Sequence, residues 1–255
     1  SSLGWTPRRE GRNLYAFLGS GPRLLLLDSH TDTVAPGSGW SRDPYGACLE
    51  EGRVYGRGSN DAKGCLAAMI MGAASAYAKD PPAGRVCIAA TCEEETSGQG
   101  LQALLPALPR PDAAVIGEPT GLDPAIAQKG LLLLSVTAAG RSAHAAWGGG
   151  VNAIHRAAKD VTALAELSFD RDHPMLGRPS LQVTRVDGGL RHNVIPDRCV
   201  LTVDVRTTPS YTPEELVALV RARVQGEVAV LSQRLAAMAT DPGEPVVAAA
   251  LAARP

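Results

Sequence analysis

A run of four leucines at positions 24–27 passes directly into the polar sequence DSHTDT at positions 28–33. The run is too short for a helix and follows the turn-like sequence GSGP at 19–22, so it predicts a strand buried on both faces. Side chains two residues apart share a face of a strand, so we expect His30 and Asp32 to project together from its carboxyl end. Because ligands of open α/β sheets bind just outside the carboxyl ends of the strands, a polar site is predicted there.

The first half of the chain alternates between strand-like and helix-like segments. Apolar runs and helical periodicity predict strands at 13–18, 23–27, 85–90 and 113–116, and helices at 64–79 and 98–105. This alternation is typical of a sheet with parallel strand pairs and crossover helices. The first half is therefore predicted to belong to the α/β class.

The pattern changes near Pro119. Strands are predicted at 131–138, 181–186, 199–205 and 226–235, and helices at 152–167 and 212–224. The last of these helices opens with Thr212, a favourable N-cap, followed by glutamates in the first turn. The block from about 122 to 238 therefore reads as a smaller α+β insert with an antiparallel sheet.

The composition excludes several classes of function. The net charge of −1 and the pI of about 6.5 argue against a nucleic-acid footprint or a polybasic membrane surface. No apolar stretch approaches the roughly 18 residues of a spanning helix, and no signal peptide is visible. The five cysteines are odd in number and lack a CxxC spacing, as is typical of reduced thiols. The composition thus predicts a cytoplasmic protein with no nucleic-acid or membrane partner.

Acidic or imidazole side chains fall at the ends of successive strand-like segments in the first half. They are His30 with Asp32, Asp61 in GRGSNDAKG, the three glutamates at 93–95, and Glu118 in VIGEPT. Taken singly, each has an ordinary explanation. Asp61 is explained as a helix N-cap, Glu118 as a turn residue, and His30 as a hydrogen-bonded histidine near the core.

Three adjacent glutamates at 93–95 follow a predicted buried strand. Their charges repel one another unless solvent or a cation offsets them, and a solvated loop is the alternative explanation. One imidazole and several carboxylates at one sheet edge match the nitrogen and oxygen ligands of zinc. Because adjacent residues of an extended chain point apart, Glu94 and Glu95 are predicted to differ in role. One binds metal, and the other stays free as a base.

Eight motifs in this chain resemble the M20-type dinuclear zinc metallohydrolases, which include acetylornithine deacetylase, succinyl-diaminopimelate desuccinylase, aminoacylase and carboxypeptidase G. In chain order they are HTDTV, GWSRDPY, GRVYGRGSNDAKG, CEEETSGQG, VIGEPT, GRSAHAAWGGGVNAI, RHNVIPDRC and DVRTTP. They follow the order of the family and extend from Leu24 to about Pro209. The resemblance implies an α/β zinc-hydrolase catalytic domain with a mixed sheet and flanking helices, carrying an inserted α+β lid or dimerisation domain.

The resemblance also implies a set of metal ligands. His30, Asp61 and Glu118 would ligate one zinc ion, and Asp61 would bridge to a second zinc that Glu95 also binds. Co²⁺ or Mn²⁺ could substitute for Zn²⁺ in either position. Asp32 would orient His30, and Glu94 would be the general base.

Three further site residues are implied in the insert. His144 would stabilise the oxyanion, in several dimeric members from the neighbouring subunit, which implies a homodimer through the lid. Asn193 and Arg206 match positions that contact substrate, and the planar fork of arginine suits a carboxylate. The alternative for Asn193 and Arg206 is a polar side chain that faces solvent.

The implied domains are a first catalytic part at 1–121, a lid at 122–238 and a return to the catalytic domain at 239–255. The family supplies a further histidine near its C-terminus, and nothing in this sequence matches it, since the last histidine is His192. We therefore expect that the 255 residues are a partial view of a longer protein; the alternative is a truncated protein. Of the ligands that the resemblance implies, the second zinc would have only Asp61 and Glu95 in this sequence.

The reaction implied by the resemblance is zinc-dependent hydrolysis of a linear amide. The sequences GEPT and AQKG resemble the acetylornithine deacetylase and desuccinylase branch, whose small-molecule substrate is an N-acyl amino acid. Within this branch we expect a deacetylase of the acetylornithine kind. The alternatives within the family are a succinyl-diaminopimelate desuccinylase and a dipeptidase or carboxypeptidase. The alternative of another class is a homologue that binds metal without catalysis.

Overall fold

The computed structural model describes residues 5–81 and 83–254 of the 255-residue chain. Packing divides the chain into two units. The first contains residues up to 123 together with Arg254, and the second contains Pro124–Ala253. In the described residues, no helix is both long and apolar enough to cross a membrane.

The first unit has seven strands and two α-helices among its described residues. In chain order they are β1 (Arg8–Glu10), β2 (Asn13–Leu18), β3 (Leu24–His30), β4 (Cys48–Glu50), β5 (Arg53–Tyr55), α1 (Lys63–Lys79), β6 (Arg85–Thr91), α2 (Gln99–Leu104) and β7 (Ala113–Ile116). A single 3₁₀ turn follows α2 at Leu105–Ala107.

A mixed five-stranded sheet forms the centre of the first unit, in the order β1-β2-β6-β3-β7. Strand β3 pairs in parallel with β6 and with β7, whereas β2 pairs antiparallel with β6 and β1. The carboxyl ends of β3, β6 and β7 therefore meet at one edge of the sheet, so the segments after these strands are neighbours.

The second unit is built around an antiparallel sheet. Its elements are β8 (Ala127–Gln128), β9 (Gly130–Ala139), β10 (Ala143–His144), α3 (Ala153–Ala165), β11 (Ser180–Gly188), β12 (Val194–Ile195), β13 (Arg198–Thr207), α4 (Pro213–Arg223), β14 (Glu227–Leu235), β15 (Met238–Ala239) and α5 (Pro245–Ala252). The sheet has the order β11-β13-β9-β14, and β10 with β12 and β8 with β15 form two short ribbons. Helices α3 and α4 cover the sheet and close an apolar core.

The leucine run at 24–27 extends further as a strand than the sequence predicts. Strand β3 continues to His30, because the backbone of residues 28–30 pairs with Ala89–Thr91 of β6 and Asp28 also pairs with Ile116 of β7. The polar residues are thus part of the sheet. His30 has a relative exposure of 2%, so a charged or metal-binding group lies at the margin of the core.

The two units are defined by packing, whereas the predicted domains are defined by function. Helix α5 groups with the second unit in the packing. The functional boundaries expected at 121/122 and 238/239 stay predictions.

Candidate metal centre and active site

The four acidic or imidazole positions of the first unit reach one sheet edge by different routes. His30 ends β3, the glutamates at 93–95 begin two residues after β6, and Glu118 lies two residues after β7. Asp61 lies two residues before α1. The parallel pairing of β3 with both of its neighbours explains why three of these segments lie side by side.

His30, Asp61 and Glu118 form a compact cluster. His30 Nε2 lies 2.9 Å from Asp61 Oδ1 and 3.9 Å from Glu118 Oε1, and one ligand atom of each residue lies within 4.8 Å of the others. Tetrahedral zinc with bonds of 2.0–2.2 Å has ligands about 3.4 Å apart, a value that lies between these two distances. The donor set and its spacing fit one zinc ion.

The two ring nitrogens of His30 have different partners. Nδ1 lies 2.9 Å from the backbone carbonyl oxygen of Asp32, to which it can donate its hydrogen. In that tautomer Nε2 carries a lone pair, and this lone pair faces the Asp61 carboxylate at 2.9 Å. A lone pair and a carboxylate repel each other at this distance, so the arrangement calls for a proton or a cation between them.

The electrostatics of the cluster also favour a positive charge. Burial lowers the pKa of His30, but the hydrogen bond to Asp61 and the charge of Glu118 outweigh it and raise the pKa. Burial is the main cause that raises the pKa of Glu118, and His30 offsets part of this rise. Three nearby carboxylates raise it further: Glu94, Asp61 and Glu95.

The carboxylate of Asp32 has a partner set that the sequence does not reveal. Its two oxygens accept hydrogen bonds from the backbone N–H groups of Glu94 and Glu95, each at 3.2 Å. The same carboxylate lies 3.6 Å from His30 Nδ1, further than the Asp32 carbonyl oxygen. The shortest contact by which Asp32 could orient His30 is therefore made by its backbone carbonyl oxygen and not by its carboxylate.

The three glutamates at 93–95 are distinguished by their surroundings. Glu93 adopts a left-handed conformation with φ of 63°, and its carbonyl accepts a hydrogen bond from Gly98 N, which closes a tight turn. Its carboxylate pairs with the Arg12 guanidinium and accepts a hydrogen bond from Ser97 Oγ. The positive partner of Glu93 relieves part of the repulsion expected among the three charges.

Sequence reasoning missed Arg12 and two buried residues that support the site, Asn13 and Ser29. Asn13 Oδ1 accepts from Cys92 N at 3.1 Å, and its Nδ2 donates to the carbonyl oxygen of Gly100 at 2.8 Å. Ser29 Oγ lies 2.9 Å from the carbonyl oxygen of Gly117 and 3.2 Å from that of Ala62. The contacts of Asn13 fix the loop that carries Glu94. The contacts of Ser29 fix the segments that carry Glu118 and Asp61, which lie next to Gly117 and Ala62.

The predicted site residues His144, Asn193 and Arg206 lie in the second unit. The ring of His144 packs against Trp147 with centroids 5.1 Å apart, and its Nδ1 accepts from Ala146 N. The carbonyl oxygen of Asn193 accepts from Ala145 N at 3.0 Å.

Arg206 has an internal partner on its own strand. It forms a two-point ion pair with Asp204, at 2.9 Å from Nε and 3.2 Å from Nη2. An incoming carboxylate would therefore compete with Asp204 for this guanidinium.

A family model covers much of the second unit. Residues 126–230 match the M20 family model described as the peptidase dimerisation domain. Among solved structures, aminopeptidase PepT from Bacillus cereus ATCC 10987 is similar, with a TM-score of 0.72 and 22% identity. That match covers 97% of this chain and 71% of the aminopeptidase chain. This likeness of fold confirms the predicted fold class.

Two relatives match most of the chain. Acetylornithine deacetylase of Proteus mirabilis (strain HI4320) is 36% identical in an alignment of 242 positions that covers 88% of this chain and 62% of that protein. A succinyl-diaminopimelate desuccinylase of Gluconobacter oxydans (strain 621H) is 32% identical in an alignment of 259 positions, gaps included, that covers 95% of this chain and 68% of that protein. The chain thus spans about two thirds of the length of these curated relatives. The predicted family is confirmed, and the chain belongs to the M20 metallopeptidase family.

Proposed function

We propose that this chain provides the metal-binding part of an amidohydrolase that removes an N-acyl group, preferably acetyl, from an amino acid. The observation that carries the proposal is the cluster of His30, Asp61 and Glu118 beside the turn that bears Glu94 and Glu95. Relatives named as a deacetylase and a desuccinylase support amide hydrolysis of small N-acylated amino acids.

The donor set and the family resemblance support the metal assignment. His30, Asp61 and Glu118 would hold one Zn²⁺ ion, and Asp61 with Glu95 would contribute to a second position. Zn²⁺ when bound supplies Lewis acidity, which lowers the pKa of a water towards neutrality and polarises an amide carbonyl. Co²⁺ or Mn²⁺ would substitute with altered rates.

The chain's own residues would manage the proton and the charge. Glu94 accepts the proton of the attacking water and passes it to the nitrogen of the departing amine. His144 donates a hydrogen bond to the developing oxyanion, from the same or a neighbouring subunit. Asn193 and Arg206 would hold the amino-acid portion of the substrate, Arg206 through its carboxylate.

The distribution of thiols and the dimerisation domain support two further parts of the proposal. All five cysteines lie within the described residues and are free thiols, which supports the expected cytoplasmic location. The match of residues 126–230 to a peptidase dimerisation domain supports a homodimer. Sedimentation of the purified chain would measure this directly, and a monomer at high concentration would contradict it.

The experiment combines metal analysis with hydrolysis of N-acetylornithine, N-succinyl-diaminopimelate and a dipeptide. Glu94→Gln is expected to keep its metal and to lose about 10²–10⁴-fold in turnover. Glu10→Gln, an exposed glutamate of β1, is the matched control and should behave as the parent.

The outcomes separate the alternatives. Preferred hydrolysis of the succinyl compound or the dipeptide would replace the deacetylase assignment with the desuccinylase or the dipeptidase. Metal binding without hydrolysis of any compound would favour the non-catalytic homologue. Near-normal turnover of Glu94→Gln would remove Glu94 from the mechanism.

A further inference from the structure

The turn that carries Glu94 and Glu95 is attached to strand β3 through a single side chain. Asp32 lies two residues beyond the end of β3, and its carboxylate is about one quarter exposed. Its Oδ1 accepts from Glu94 N and its Oδ2 from Glu95 N, both at 3.2 Å. One oxygen thus binds the backbone of Glu94, which would be the base, and the other binds the backbone of Glu95, which would be a metal ligand.

The backbone around Asp32 is fixed independently of its side chain. The neighbouring Thr31 donates to the carbonyl oxygen of Thr91 through its N–H at 2.8 Å and through its hydroxyl at 2.9 Å. The carbonyl oxygen of Asp32 lies 2.9 Å from His30 Nδ1. Removal of the Asp32 carboxylate would therefore leave His30 with its Nδ1 partner, while the Glu94–Glu95 amides would lose theirs.

The rest of the turn is held by other contacts. Glu93 is fixed through Arg12 and Ser97, and Asn13 fixes the backbone on both sides of the turn. Among the contacts described for this turn, only those of Asp32 reach the amides of Glu94 and Glu95 themselves.

We propose that Asp32 is a positioning residue that acts on Glu94 and Glu95 through their backbone amides, and not primarily on His30. Hydrogen bonds to a charged acceptor are stronger than those between neutral groups, so one carboxylate can hold both amides. The consequence is that Asp32 sets the direction in which the Glu94 and Glu95 side chains leave the turn. The catalytic consequence of this positioning rests on the proposed function, whereas the hydrogen bonds from Glu94 N and Glu95 N to Asp32 do not.

Amide hydrogen exchange of the unmodified chain gives the first test. The amides of Glu94 and Glu95 should exchange at least about tenfold more slowly than unprotected amides, because each is bonded to a carboxylate. Exchange of both amides at the unprotected rate would overturn the proposal. This measurement needs no variant and no bound metal.

Asp32→Asn gives the second test. Asparagine has one acceptor oxygen, so at least one of the two amides should exchange about tenfold faster, while the ring ¹⁵N signals of His30 stay in place. Unchanged exchange of both amides would overturn the proposal, whatever the His30 signals do. Asp112→Asn is the matched control, because Asp112 Oδ2 accepts from Leu24 N at 2.7 Å at the other end of β3. Ser97→Ala tests the separate support of Glu93.

Kinetics then separate this proposal from the proposed function. Asp32→Asn should lower kcat about tenfold or more with little change in KM, because it displaces Glu94 and Glu95 and not the substrate contacts. If the parent chain hydrolyses none of the amide substrates, the proposed function fails while the exchange result still stands. If the parent chain is active but the backbone amides of Glu94 and Glu95 are unprotected, only the positioning role fails.

Discussion

Helices α1 and α3 show how differently the two units are held together. Asn152 caps helix α3, because its Oδ1 accepts from Ile154 N and His155 N, and the helix has four buried residues. Helix α1 is longer, with 17 residues, yet none of them is fully buried, and it begins after Ala62, whose methyl group cannot cap it. Packing therefore contributes much to the stability of α3 in the second unit and less to the stability of α1 in the first.

The apolar clusters of the two units differ in the same direction. In the described residues the second unit has a cluster of 17 buried members, and the first has one of six. The first unit instead places charged and imidazole side chains at the ends of its central strands. We infer that the second unit is stabilised mainly by its core, whereas the first gains stability when a cation joins its carboxylates.

One buried cysteine in each unit allows the two stabilities to be measured separately. Cys87 of β6 and Cys199 of β13 both have 0% exposure. Burial raises the pKa of Cys87 to about 11 and also raises that of Cys199, so both thiols react slowly with iodoacetamide in the folded state. The labelling rate of each, followed by mass spectrometry, reports the opening of its own sheet.

The largest effect is expected in the core of the second unit. Leu134→Ala removes a side chain with 0% exposure and should lower the free energy of unfolding of this unit by about 2–5 kcal/mol. Labelling of Cys199 in a urea series measures the change, and Cys87 is the internal control. A loss below about 1 kcal/mol would show that this core does not dominate the stability of the unit.

Zinc should produce the next largest effect, and on the other unit. At a Zn²⁺ concentration of about 100 times Kd, the first unit should gain about 2.7 kcal/mol, so labelling of Cys87 slows about 100-fold. Labelling of Cys199 should not change, and His30→Ala should abolish the effect on Cys87. An equal response of both thiols would contradict the assignment of the metal site to the first unit.

The N-cap of α3 offers a smaller effect. Asn152→Ala leaves Ile154 N without its acceptor and should cost about 0.5–2 kcal/mol in the second unit. Asn152→Ser, which retains a capping oxygen, should restore most of the loss. Labelling of Cys199 measures both variants, and equal losses in the two would rule out capping as the cause.

The smallest effect is expected on α1. Met71 is 60% exposed, so Met71→Ala should change the free energy of unfolding of the first unit by no more than about 0.5 kcal/mol. The rate of Cys87 labelling in urea is the measurement. A loss above 1 kcal/mol would show that α1 contributes more packing than its exposure indicates.

The sequence predicts the location of the site better than its internal contacts. An apolar run that passes into the polar residues 28–30, together with alternating strands and helices, is enough to predict a polar sheet edge. It does not reveal that the Asp32 carboxylate accepts from Glu94 N and Glu95 N, because a strand pattern carries no information about loop amides. The partner of Arg12 is 81 positions away, so only the fold brings it to Glu93.

The sequence pattern also does not predict the hairpin of β4 and β5, and the reason is local. Its two-residue turn has positive φ at Glu51 and Gly52, of 48° and 75°, as in a type I′ turn. Such turns favour asparagine or aspartate before glycine, and glutamate gives a weak signal. Its strands have three residues each and carry little alternation to detect.

The carboxamide of Asn13 ties Cys92 to Gly100, so the seven residues between them behave as a closed ring. A ring of this kind fixes the number of residues it can contain, because an insertion or deletion would break one of its two anchors. Exposed side chains such as that of Gln99 can change while the path of the chain is kept. Relatives of this chain should therefore diversify this loop by substitution and not by length.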